Sequence, residues 1–446
     1  MNISFLTSRF FPEHTGGTET YTNNIAHALK AMGHQVSVLY APVWNLPRKQ
    51  RKYQVKAEDG SFEGIPVRKL NFDWQSAPDP HGYLFLHNPL IEEQIADWLV
   101  QQSADLVHIT SCIHLTAAAI SAAIKNNLPA VITFTQYWSI CPKTTLERRD
   151  GTFCVGRQDG VTCLECLYGR TRPLRLLSAL PNRLQVAAVN LCQNHPQLSA
   201  WNNSLNLVSA VERRNAAISE LLQKAYLISP SRFLADTLAR SGLIERERIH
   251  YSPHGHDVQR AQPGKHKSPS TQVRFGFTGN VIPHKGVHLL VQAFNRLSHG
   301  SQARLIIYGD TQSAYGERVK LLAADNPAIE FRGRFDNKDI GRILQEIDVV
   351  VVPSTWYENA PVTIAEAFAA ETPVIATDLG GMSEAVEHDL NGLLFALNDV
   401  DDLARQMQSL VEDKSLFTHL RNNIPQVRKI EDECMALLQI YRQLLA

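Results

Sequence analysis

Short apolar runs alternate with amphipathic helical patterns along most of this chain, and this alternation restricts its fold more than any other feature. Residues 3–7 and 35–40 are rich in apolar side chains, and the helical pattern between them places Tyr21, Ile25 and Leu29 on one face. Strands of this length separated by helices predict a parallel sheet with helices on both faces. The pattern restarts at residue 273, so the sequence predicts two doubly wound α/β domains.

The chain of 446 residues is too long for one ordinary hydrophobic core. We expect an N-terminal Rossmann-like domain at residues 1–254, with a cysteine-containing helical insertion at about 139–220. A C-terminal Rossmann-like domain is expected at 255–425, after a hinge in the segment PHGHD. Residues 426–446 are expected to form a terminal helix that can pack back on the first domain.

Charge and hydropathy exclude several classes of protein. Lysine and arginine together number 44, and so do aspartate and glutamate, so the net charge does not favour a nucleic acid partner. No apolar run reaches the roughly 18–20 residues that a membrane-spanning helix needs. The first ten residues, MNISFLTSRF, lack the basic and apolar regions of a signal peptide. We therefore expect a cytoplasmic protein that binds no nucleic acid.

Two basic stretches raise the question of a peripheral membrane contact. We expect residues 41–63 to form a solvated loop and residues 167–215 to form helices that pack on the first domain. Contact with an anionic acceptor or with lipid head groups at the inner face of the membrane is the alternative. The basic residues are Arg48, Lys49, Arg51, Lys52 and Lys56 in the first stretch and Arg170, Arg172, Arg175 and Arg183 in the second.

The stretch Pro353–Pro373 holds two carboxylates, Glu358 and Glu366, and contains the main candidate site. The apolar run at 347–352 predicts a buried strand that leads into it, and Pro361 suits the first turn of a helix. Glu358 then lies in the loop before the helix, and Glu366 lies about one turn inside it. Because eight residues of continuous helix would place them roughly 80° apart, they can converge only if the first lies outside the helix.

A helix N-terminus between two carboxylates suits a particular kind of ligand. The free N–H groups of the first turn favour phosphate. The flanking carboxylates can accept hydrogen bonds from hydroxyl groups. This combination indicates a site for a nucleoside diphosphate that carries a sugar.

Three further loops carry candidate residues. Gly16 and Gly17 lie at the first strand-to-helix turn, where glycine permits close approach of the backbone to a ligand, although a plain turn is the alternative. Lys285 lies in the loop GNVIPHKG, either as a phosphate ligand or as a surface lysine. Thr135 lies at the carboxyl end of a predicted strand, where parallel sheets bind their ligands.

Four of the seven cysteines lie close together in the sequence, at Cys141, Cys154, Cys163 and Cys166. The Cys-x-x-Cys pair suits chelation, and two more thiolates would complete a tetrahedral zinc site. An iron–sulfur cluster would use the same ligands. Because the spacing between the pairs matches no standard zinc ribbon, reduced structural thiols are the alternative. Zinc is the favoured metal, since nothing else in the sequence indicates redox chemistry.

These motifs, in this order along nearly the whole chain, resemble those of the retaining glycosyltransferases of family 4 (glycosyl transferases group 1), which have the GT-B fold. FFPEHTGGTE resembles the family's glycine loop, and FTGNVIPHKG resembles its G-R-x-x-x-x-K-G loop. ENAPVTIAE resembles its E-x7-E motif, and TDLGGMSEAVEHDLNGLLF resembles the segment that follows. The resemblance implies an α/β protein of the GT-B type, with two Rossmann-like doubly wound domains that face each other across a cleft.

The resemblance also implies roles for individual residues toward a nucleoside-diphosphate sugar. Lys285 would neutralise the diphosphate, Glu358 would lie near the donor sugar, and Glu366 would accept hydrogen bonds from the ribose hydroxyls. The backbone that would lie beside the phosphates belongs to Gly16, Gly17, Asn359, Ala360, Pro361 and Val362.

Two positions depart from the family pattern. Asn280 stands where the family usually has arginine, so one phosphate-binding cation is absent or comes from elsewhere. VITFTQYW resembles the family's V-x-T-x-H-D-x-W, but Thr135 replaces the histidine that contacts the donor sugar and Gln136 replaces the acid. The cysteine segment CPK…DGTFC…CLEC resembles an insertion in a subset of the family, which favours the four cysteines acting together.

We interpret the chain as a hexosyltransferase that moves a hexose from a nucleoside-diphosphate sugar to a hydroxyl of a glycan or lipid-linked acceptor, with retention, in polysaccharide or glycolipid assembly. The expected catalytic residues are Glu358, Lys285 and Thr135. We expect no cofactor for transfer, and catalysis independent of a divalent metal, because no Asp-x-Asp metal motif is evident. No carboxylate nucleophile is evident, which favours a front-side mechanism. The alternatives are a non-catalytic nucleotide-sugar-binding protein and another GT-B enzyme, such as a sugar-nucleotide epimerase or a phosphorylase.

Overall fold

The computed structural model of the chain describes residues 1–42, 54–73, 76, 87–169, 175–176, 178–181, 183–185, 187, 199–261, 270–298 and 302–446. These residues form two compact units. The first unit contains Met1–Pro230, Ala235–Ser252 and Cys434–Ala446, and the second contains Ser231–Leu234 and Pro253–Glu433. Each unit is built on its own sheet, as the repeated alternation of strands and helices predicts.

The first unit has an eight-stranded sheet with the order β3-β4-β2-β1-β5-β6-β7-β8. Its neighbouring strands are parallel except for β3 and β4. The register pairs Ile3 with both Val36 and Leu106, so the first strand lies at the centre. The strands are β1 (Asn2–Thr7), β2 (Gln35–Tyr40), β3 (Val55–Phe62), β4 (Ile65–Phe72), β5 (Leu106–Ile109), β6 (Ala130–Thr133), β7 (Tyr226–Ser229) and β8 (Ile249–Tyr251).

The edge of this sheet corrects the prediction that residues 41–63 form a loop. Strand β3 pairs antiparallel with β4 through a turn at Glu63 and Gly64, whose φ angles are 47° and 74°. Because β3 is exposed along nearly its whole length, its sequence lacks the apolar alternation that reveals a half-buried strand. Lys56 lies on this strand. The basic residues outside the described part of the chain are Arg48, Lys49, Arg51 and Lys52.

Helices connect the strands of the first unit and bury their apolar faces. Asn88 caps the N-terminus of the second helix, which starts at Pro89. Its side-chain Oδ1 accepts a hydrogen bond from the Ile91 amide at 3.2 Å, and proline suits the first helical position. In the first helix, Ile25 and Leu29 are buried on the expected face. The helices are α1 (Gly17–Ala31), α2 (Pro89–Gln101), α3 (Ala118–Lys125), α4 (Gly160–Tyr168), α5 (Ser199–Leu222) and α6 (Arg232–Arg240).

The segment between β6 and β7 contains α4 and α5, which pack on each other through Val161, Leu164, Val208 and Val211. Arg175 and Arg183 lie in the described part of this segment, whereas Arg170 and Arg172 lie outside it. Within the described residues, no helix combines the length and the apolar character needed to cross a membrane.

The second unit has a six-stranded, fully parallel sheet with the order β11-β10-β9-β12-β13-β14. Its strands are β9 (Val273–Thr278), β10 (Ala303–Tyr308), β11 (Ile329–Gly333), β12 (Val349–Val352), β13 (Val374–Thr377) and β14 (Gly392–Phe395). Its helices are α7 (Val258–Ala261), α8 (Val287–Phe294), α9 (Ala314–Ala323), α10 (Ile340–Gln345), α11 (Val362–Ala369), α12 (Gly381–Ala385), α13 (Val400–Glu412) and α14 (Lys414–Asn422).

Apolar side chains cover both faces of the second sheet. One layer includes Phe275, Val349 and Ile375, and the other includes Val350, Val374 and Ala376. The fully buried strand Val349–Val352 therefore has a continuous apolar sequence rather than an alternating one. The last helix of the chain, α15 (Ile430–Leu445), starts in the second unit and continues in the first.

The strand orders fix where each unit can bind a ligand. In the second sheet the chain adds β10 on one side of β9 and β12 on the other, so the order reverses between β9 and β12. In the first sheet the corresponding reversal lies between β1 and β5. The loops that leave the carboxyl ends of these strands diverge to opposite faces and leave a crevice there, which is the usual ligand site of doubly wound sheets.

Candidate functional site

The loops after β9 and β12 meet at the reversal point of the second sheet. The Thr355 amide donates to the His284 carbonyl at 2.8 Å, and the rings of His284 and Trp356 lie 4.8 Å apart. Gly286 has a φ of 67°, and a Cβ there would lie 1.8 Å from the Pro353 carbonyl oxygen. Only glycine permits this backbone and this close approach. The sequence therefore brings the lysine loop directly against the loop that carries Glu358.

Lys285 and Glu358 form an ion pair in this crevice, with the lysine Nζ 2.6 Å from Oε1 of the glutamate. Oε1 also accepts from the Ser354 hydroxyl at 2.9 Å and from the Trp356 indole N–H at 2.7 Å. Burial alone would raise the pKa of Glu358, but the Lys285 ammonium and these three hydrogen bonds outweigh it and hold that pKa below its usual value. Glu358 is therefore a fixed carboxylate that positions the lysine.

Helix α11 begins directly after this carboxylate, with Pro361 as the residue that precedes its first turn. Pro361 has no side-chain group that could cap the helix N-terminus. The start of α12 packs against the loop that carries Glu358. The Gly381 amide donates to the Glu358 carbonyl at 2.8 Å. A Cβ at Gly381 would lie 2.0 Å from the Asn359 carbonyl oxygen, so the two backbones are in close contact. The start of α11 is partly exposed and contains the four residues predicted to contact phosphate, which are Asn359, Ala360, Pro361 and Val362. Its first N–H groups can bind an anion.

Glu366 lies one turn inside α11, as predicted, and its carboxyl group is buried. Among the described residues its Oε1 has no hydrogen-bond partner, and Arg260 Nη2 lies 3.7 Å from it. Arg260 Nε is also buried without a hydrogen-bond partner in this part of the chain. Burial raises the pKa of Glu366 to about 7, even though the Arg260 charge acts in the opposite direction. A ligand hydroxyl would satisfy this carboxylate oxygen.

In the first unit, the predicted glycine loop begins α1, with Gly16 in an extended conformation before the helix and Gly17 exposed at its first position. The buried Glu19 folds back over this helix start, and a Cβ at Gly16 would lie 2.4 Å from its Oε2. A carboxylate at this position interacts favourably with the helix dipole and repels a second anion. The glycine loop is thus less open to phosphate than its sequence suggests.

Thr135 lies close to this helix start, at the carboxyl end of β6. Its hydroxyl donates to the Thr110 carbonyl at 2.8 Å and accepts from the Thr18 hydroxyl at 2.9 Å. Gln136 Nε2 donates to the Ser111 hydroxyl. The structure therefore brings Gly16, Gly17 and Thr135 together in the first unit. A threonine hydroxyl does not titrate near neutral pH, so Thr135 cannot exchange a proton with a ligand as histidine could.

The four clustered cysteines lie between β6 and α5 of the first unit and are free thiols. Burial raises the pKa of Cys141 and raises that of Cys163 to about 12. Cys166 Sγ lies 3.9 Å from the Glu147 carbonyl oxygen. In the part of the chain that the structure describes, no group of three or more His, Cys, Asp or Glu side chains is arranged to hold a metal ion.

Some residues of the second-unit site were missed by the sequence reasoning. Ser354 and Trp356 lie inside the quoted stretch, but nothing in their spacing identifies them as partners of Glu358. Arg260 lies more than a hundred residues from Glu366, so its role could only be found in the fold. Asn280 is exposed in the lysine loop. A literal Asp-x-Asp does occur at Asp399, whose carboxylate caps α13 by accepting from the Asp402 amide at 2.9 Å.

Two family models match most of this architecture. The model described as glycosyl transferases group 1 matches residues 258–427, which contain the crevice of the second unit. The model described as glycosyl transferase 4-like domain matches residues 16–157, which contain the glycine loop and Thr135.

Individual relatives and solved structures agree with these matches. The putative glycosyltransferase YtcC of Bacillus subtilis is 31% identical over 156 residues, which are 33% of this chain and 38% of the relative. The putative colanic acid biosynthesis glycosyltransferase WcaL of Escherichia coli is 27% identical over 197 residues, which are 42% of this chain and 48% of the relative. The structure of HepE from Anabaena in complex with UDP superposes with a TM-score of 0.65 and 16% identity, over 99% of this chain and 100% of the other.

The chain spans about half or less of the length of these curated relatives, and the structural likeness shows the fold alone. Together with the two family models, it confirms the expectation of two parallel-sheet α/β domains of the GT-B type. The chain therefore belongs to the group 1 glycosyltransferases and carries their family 4-like N-terminal domain.

Proposed function

We propose that the protein transfers a hexose from a nucleoside-diphosphate sugar to a hydroxyl group, with retention of anomeric configuration. The observation that carries this proposal is the crevice of the second unit. There an uncapped helix start lies between the Lys285–Glu358 ion pair and a buried carboxyl group, Glu366, whose Oε1 accepts no hydrogen bond from the described residues. Phosphate fits the helix start, and paired hydroxyls fit the carboxylate.

The same residues would stabilise the leaving group. Departure of the nucleoside diphosphate develops negative charge on its phosphates, which the Lys285 ammonium and the first N–H groups of α11 can stabilise. Glu358 holds the ammonium in place, so little reorganisation is needed during the reaction. Preorganised donors of this kind contribute roughly 2–4 kcal/mol each in other enzymes. We propose no added cofactor for this step.

The donor and acceptor classes are proposed from relatives. Structures similar to this one are titled as complexes of HepE with UDP, with UDP and glucose and with UDP-glucose, which supports a nucleotide-sugar donor. WcaL is named for colanic acid biosynthesis, and another similar structure, WaaG, is titled as involved in lipopolysaccharide biosynthesis. A glycan or lipid-linked acceptor in polysaccharide or glycolipid assembly fits both.

The donor site can be tested with Lys285→Ala and Glu366→Ala. A thermal-shift screen of the purified chain against UDP-, GDP- and ADP-sugars first identifies the donor, and donor hydrolysis and transfer are then followed with that sugar nucleotide. We expect each variant to lower kcat/KM for the donor at least about tenfold, or about 1.4 kcal/mol of transition-state stabilisation. Lys338→Ala is the matched control, since that lysine is exposed on the same unit.

Unchanged donor kinetics in both variants would contradict the site. A second candidate function, binding of a nucleotide sugar without transfer, is favoured by one observation: Thr135 replaces the expected histidine, and its hydroxyl is already bonded to Thr110 and Thr18. This alternative predicts that a sugar nucleotide binds by calorimetry while neither transfer nor hydrolysis occurs.

A further inference from the structure

Trp356 is a half-buried residue of the loop after β12, and its surroundings differ from those of an ordinary core tryptophan. It belongs to neither of the apolar layers that cover the second sheet. Its polar edge is turned toward the crevice, because the indole N–H donates to Glu358 Oε1 at 2.7 Å. The ring therefore supplies a hydrogen bond to the proposed donor site and does not fill the hydrophobic core.

The lysine loop holds the indole ring in place. The centres of the Trp356 and His284 rings lie 4.8 Å apart, and their planes make an angle of 54°. The preceding residue, Thr355, donates its amide to the His284 carbonyl at 2.8 Å, so the backbones that carry the two rings are joined. Lys285 Nζ lies 6.0 Å from the centre of the Trp356 ring, at the outer limit of a cation–π contact. A ring that is held on its face gives a donor whose direction is also held.

Glu358 depends on such a donor for its orientation. The terminal torsion of a glutamate has a broad energy minimum, so the side chain does not fix the plane of its own carboxylate. Three donors meet at Oε1, from Lys285, Ser354 and Trp356. The lysine stem is flexible and the serine hydroxyl rotates, whereas the indole N–H moves only with its ring. Trp356 is therefore the donor that best fixes where Oε1 lies.

The position of Oε1 in turn determines that of the ammonium group. Among the described residues, Glu358 is the carboxylate that pairs with Lys285, at 2.6 Å. This bond uses one of the three N–H groups of the ammonium and leaves two for a diphosphate. A rotated carboxylate would carry the ammonium with it, and a misplacement of about 1 Å can cost a large part of a rate enhancement.

We propose that Trp356 is a positioning residue, which orients Glu358 and thereby places the Lys285 ammonium against the departing phosphate. This role rests on the transfer reaction proposed above. Because the negative charge on that phosphate is greatest in the transition state, a misplaced ammonium lowers kcat more than it weakens donor binding. The hydroxyl of the buried Ser354 bonds to the same oxygen and plays a lesser part, since it can rotate.

Trp356→Phe removes the indole N–H and retains an aromatic ring. With the sugar nucleotide that the thermal-shift screen selects, we expect kcat to fall about tenfold and KM to change less than about threefold. Tyr308→Phe is the matched control, because it removes a hydrogen bond of 3.0 Å to another carboxylate of the second unit, that of Glu346. It should leave kcat and KM unchanged. A change in KM alone, or equal effects of the two variants, would contradict a positioning role for Trp356.

A double-variant cycle tests whether Trp356 acts through the lysine. In a Lys285→Ala background, Trp356→Phe should have little further effect on kcat, because no ammonium remains to be placed. Effects that multiply in the double variant would overturn the proposal. If Lys285→Ala itself leaves the donor kinetics unchanged, the proposed function fails. A loss in Lys285→Ala with none in Trp356→Phe contradicts the positioning role alone.

The hydrogen bond itself can be observed by NMR without any reaction. The chain has six tryptophans, and loss of one indole N–H signal in Trp356→Phe assigns the signal of this residue. We expect that signal at low field in a ¹H–¹⁵N spectrum, and we expect it to move upfield in Glu358→Gln, where a neutral amide replaces the carboxylate. If Trp356→Phe does not fold, the comparison of Glu358→Gln with the unaltered protein still decides. Six indole signals that all stay unchanged in Glu358→Gln would show that Trp356 does not bind this carboxylate.

Discussion

The buried carboxyl group of Glu366, which we propose binds the donor, lowers the stability of the fold when it is ionised. Its folded-state pKa of about 7 lies above the value of 4.5 for an unperturbed glutamate, chiefly because the group is buried. Between these two pH values the folded chain binds more protons than the unfolded chain at this site. The stabilising contribution of the protonated form is therefore fully present below about pH 4.5 and is lost as the pH rises toward 7.

Glu366→Gln should therefore stabilise the second unit at pH 8 and leave it nearly unchanged at pH 4. The expected gain at pH 8 is about 1–3 kcal/mol, because the neutral amide avoids a buried charge that Arg260 offsets incompletely. Urea unfolding at the two pH values measures it. Glu317→Gln, on the exposed first turn of α9, is the control. If Glu366→Gln is less stable than the unaltered protein at pH 8, burial does not dominate the pKa of Glu366 and the prediction is wrong.

At the scale of single elements, the sequence predicted most strands and helices and the position of Glu358 before α11 and Glu366 inside it. It failed for β3, because an exposed edge strand carries no apolar alternation. It could predict Lys285 and Glu358 as parts of one site but not their ion pair, which depends on β9 and β12 being adjacent. Adjacency follows from sheet order, and sheet order is not a local property of sequence.

The contact between the lysine loop and the glutamate loop can be tested at Gly286. Alanine there needs a left-handed backbone, which costs about 1–2 kcal/mol, and its Cβ overlaps the Pro353 carbonyl, which costs about 1–3 kcal/mol more. We expect Gly286→Ala to destabilise the second unit by at least about 2 kcal/mol and to weaken binding of the sugar nucleotide that the proposed thermal-shift screen selects.

Gly333→Ala separates the cost of the left-handed backbone from the cost of the overlap with Pro353. Gly333 also has a positive φ, of 72°, but a Cβ there would meet nothing within 4 Å. It should therefore cost only the backbone preference and leave donor binding intact. Equal losses of stability and of binding in the two variants would contradict the idea that close packing against Pro353 positions Lys285.

At the scale of the whole molecule, the chain returns at its end to the unit in which it began. Residues Cys434–Ala446 belong to the first unit, and Tyr441 on α15 is completely buried there. Its hydroxyl lies 2.5 Å from Nδ1 of His108 on β5, whose Nε2 lies 2.8 Å from the Thr133 hydroxyl on β6. The bond between Tyr441 and His108 connects residues 333 positions apart in the chain. The apolar face of the last helix suggests such packing, but a buried tyrosine–histidine pair cannot be recognised from periodicity.

Tyr441→Phe removes this hydrogen bond while retaining the ring. Because the imidazole is buried, we expect the first unit to lose about 1–2 kcal/mol of stability. Native-state hydrogen exchange of the β5 and β6 amides measures the loss, since a chain of two units need not unfold in a single step. Tyr315→Phe is the matched control, because its hydroxyl lies 2.7 Å from His288 Nδ1 in the second unit. It should reduce protection around α8 and leave β5 unchanged. Equal protection of β5 in Tyr441→Phe and the unaltered protein would show that the terminal helix does not support the first unit through this pair.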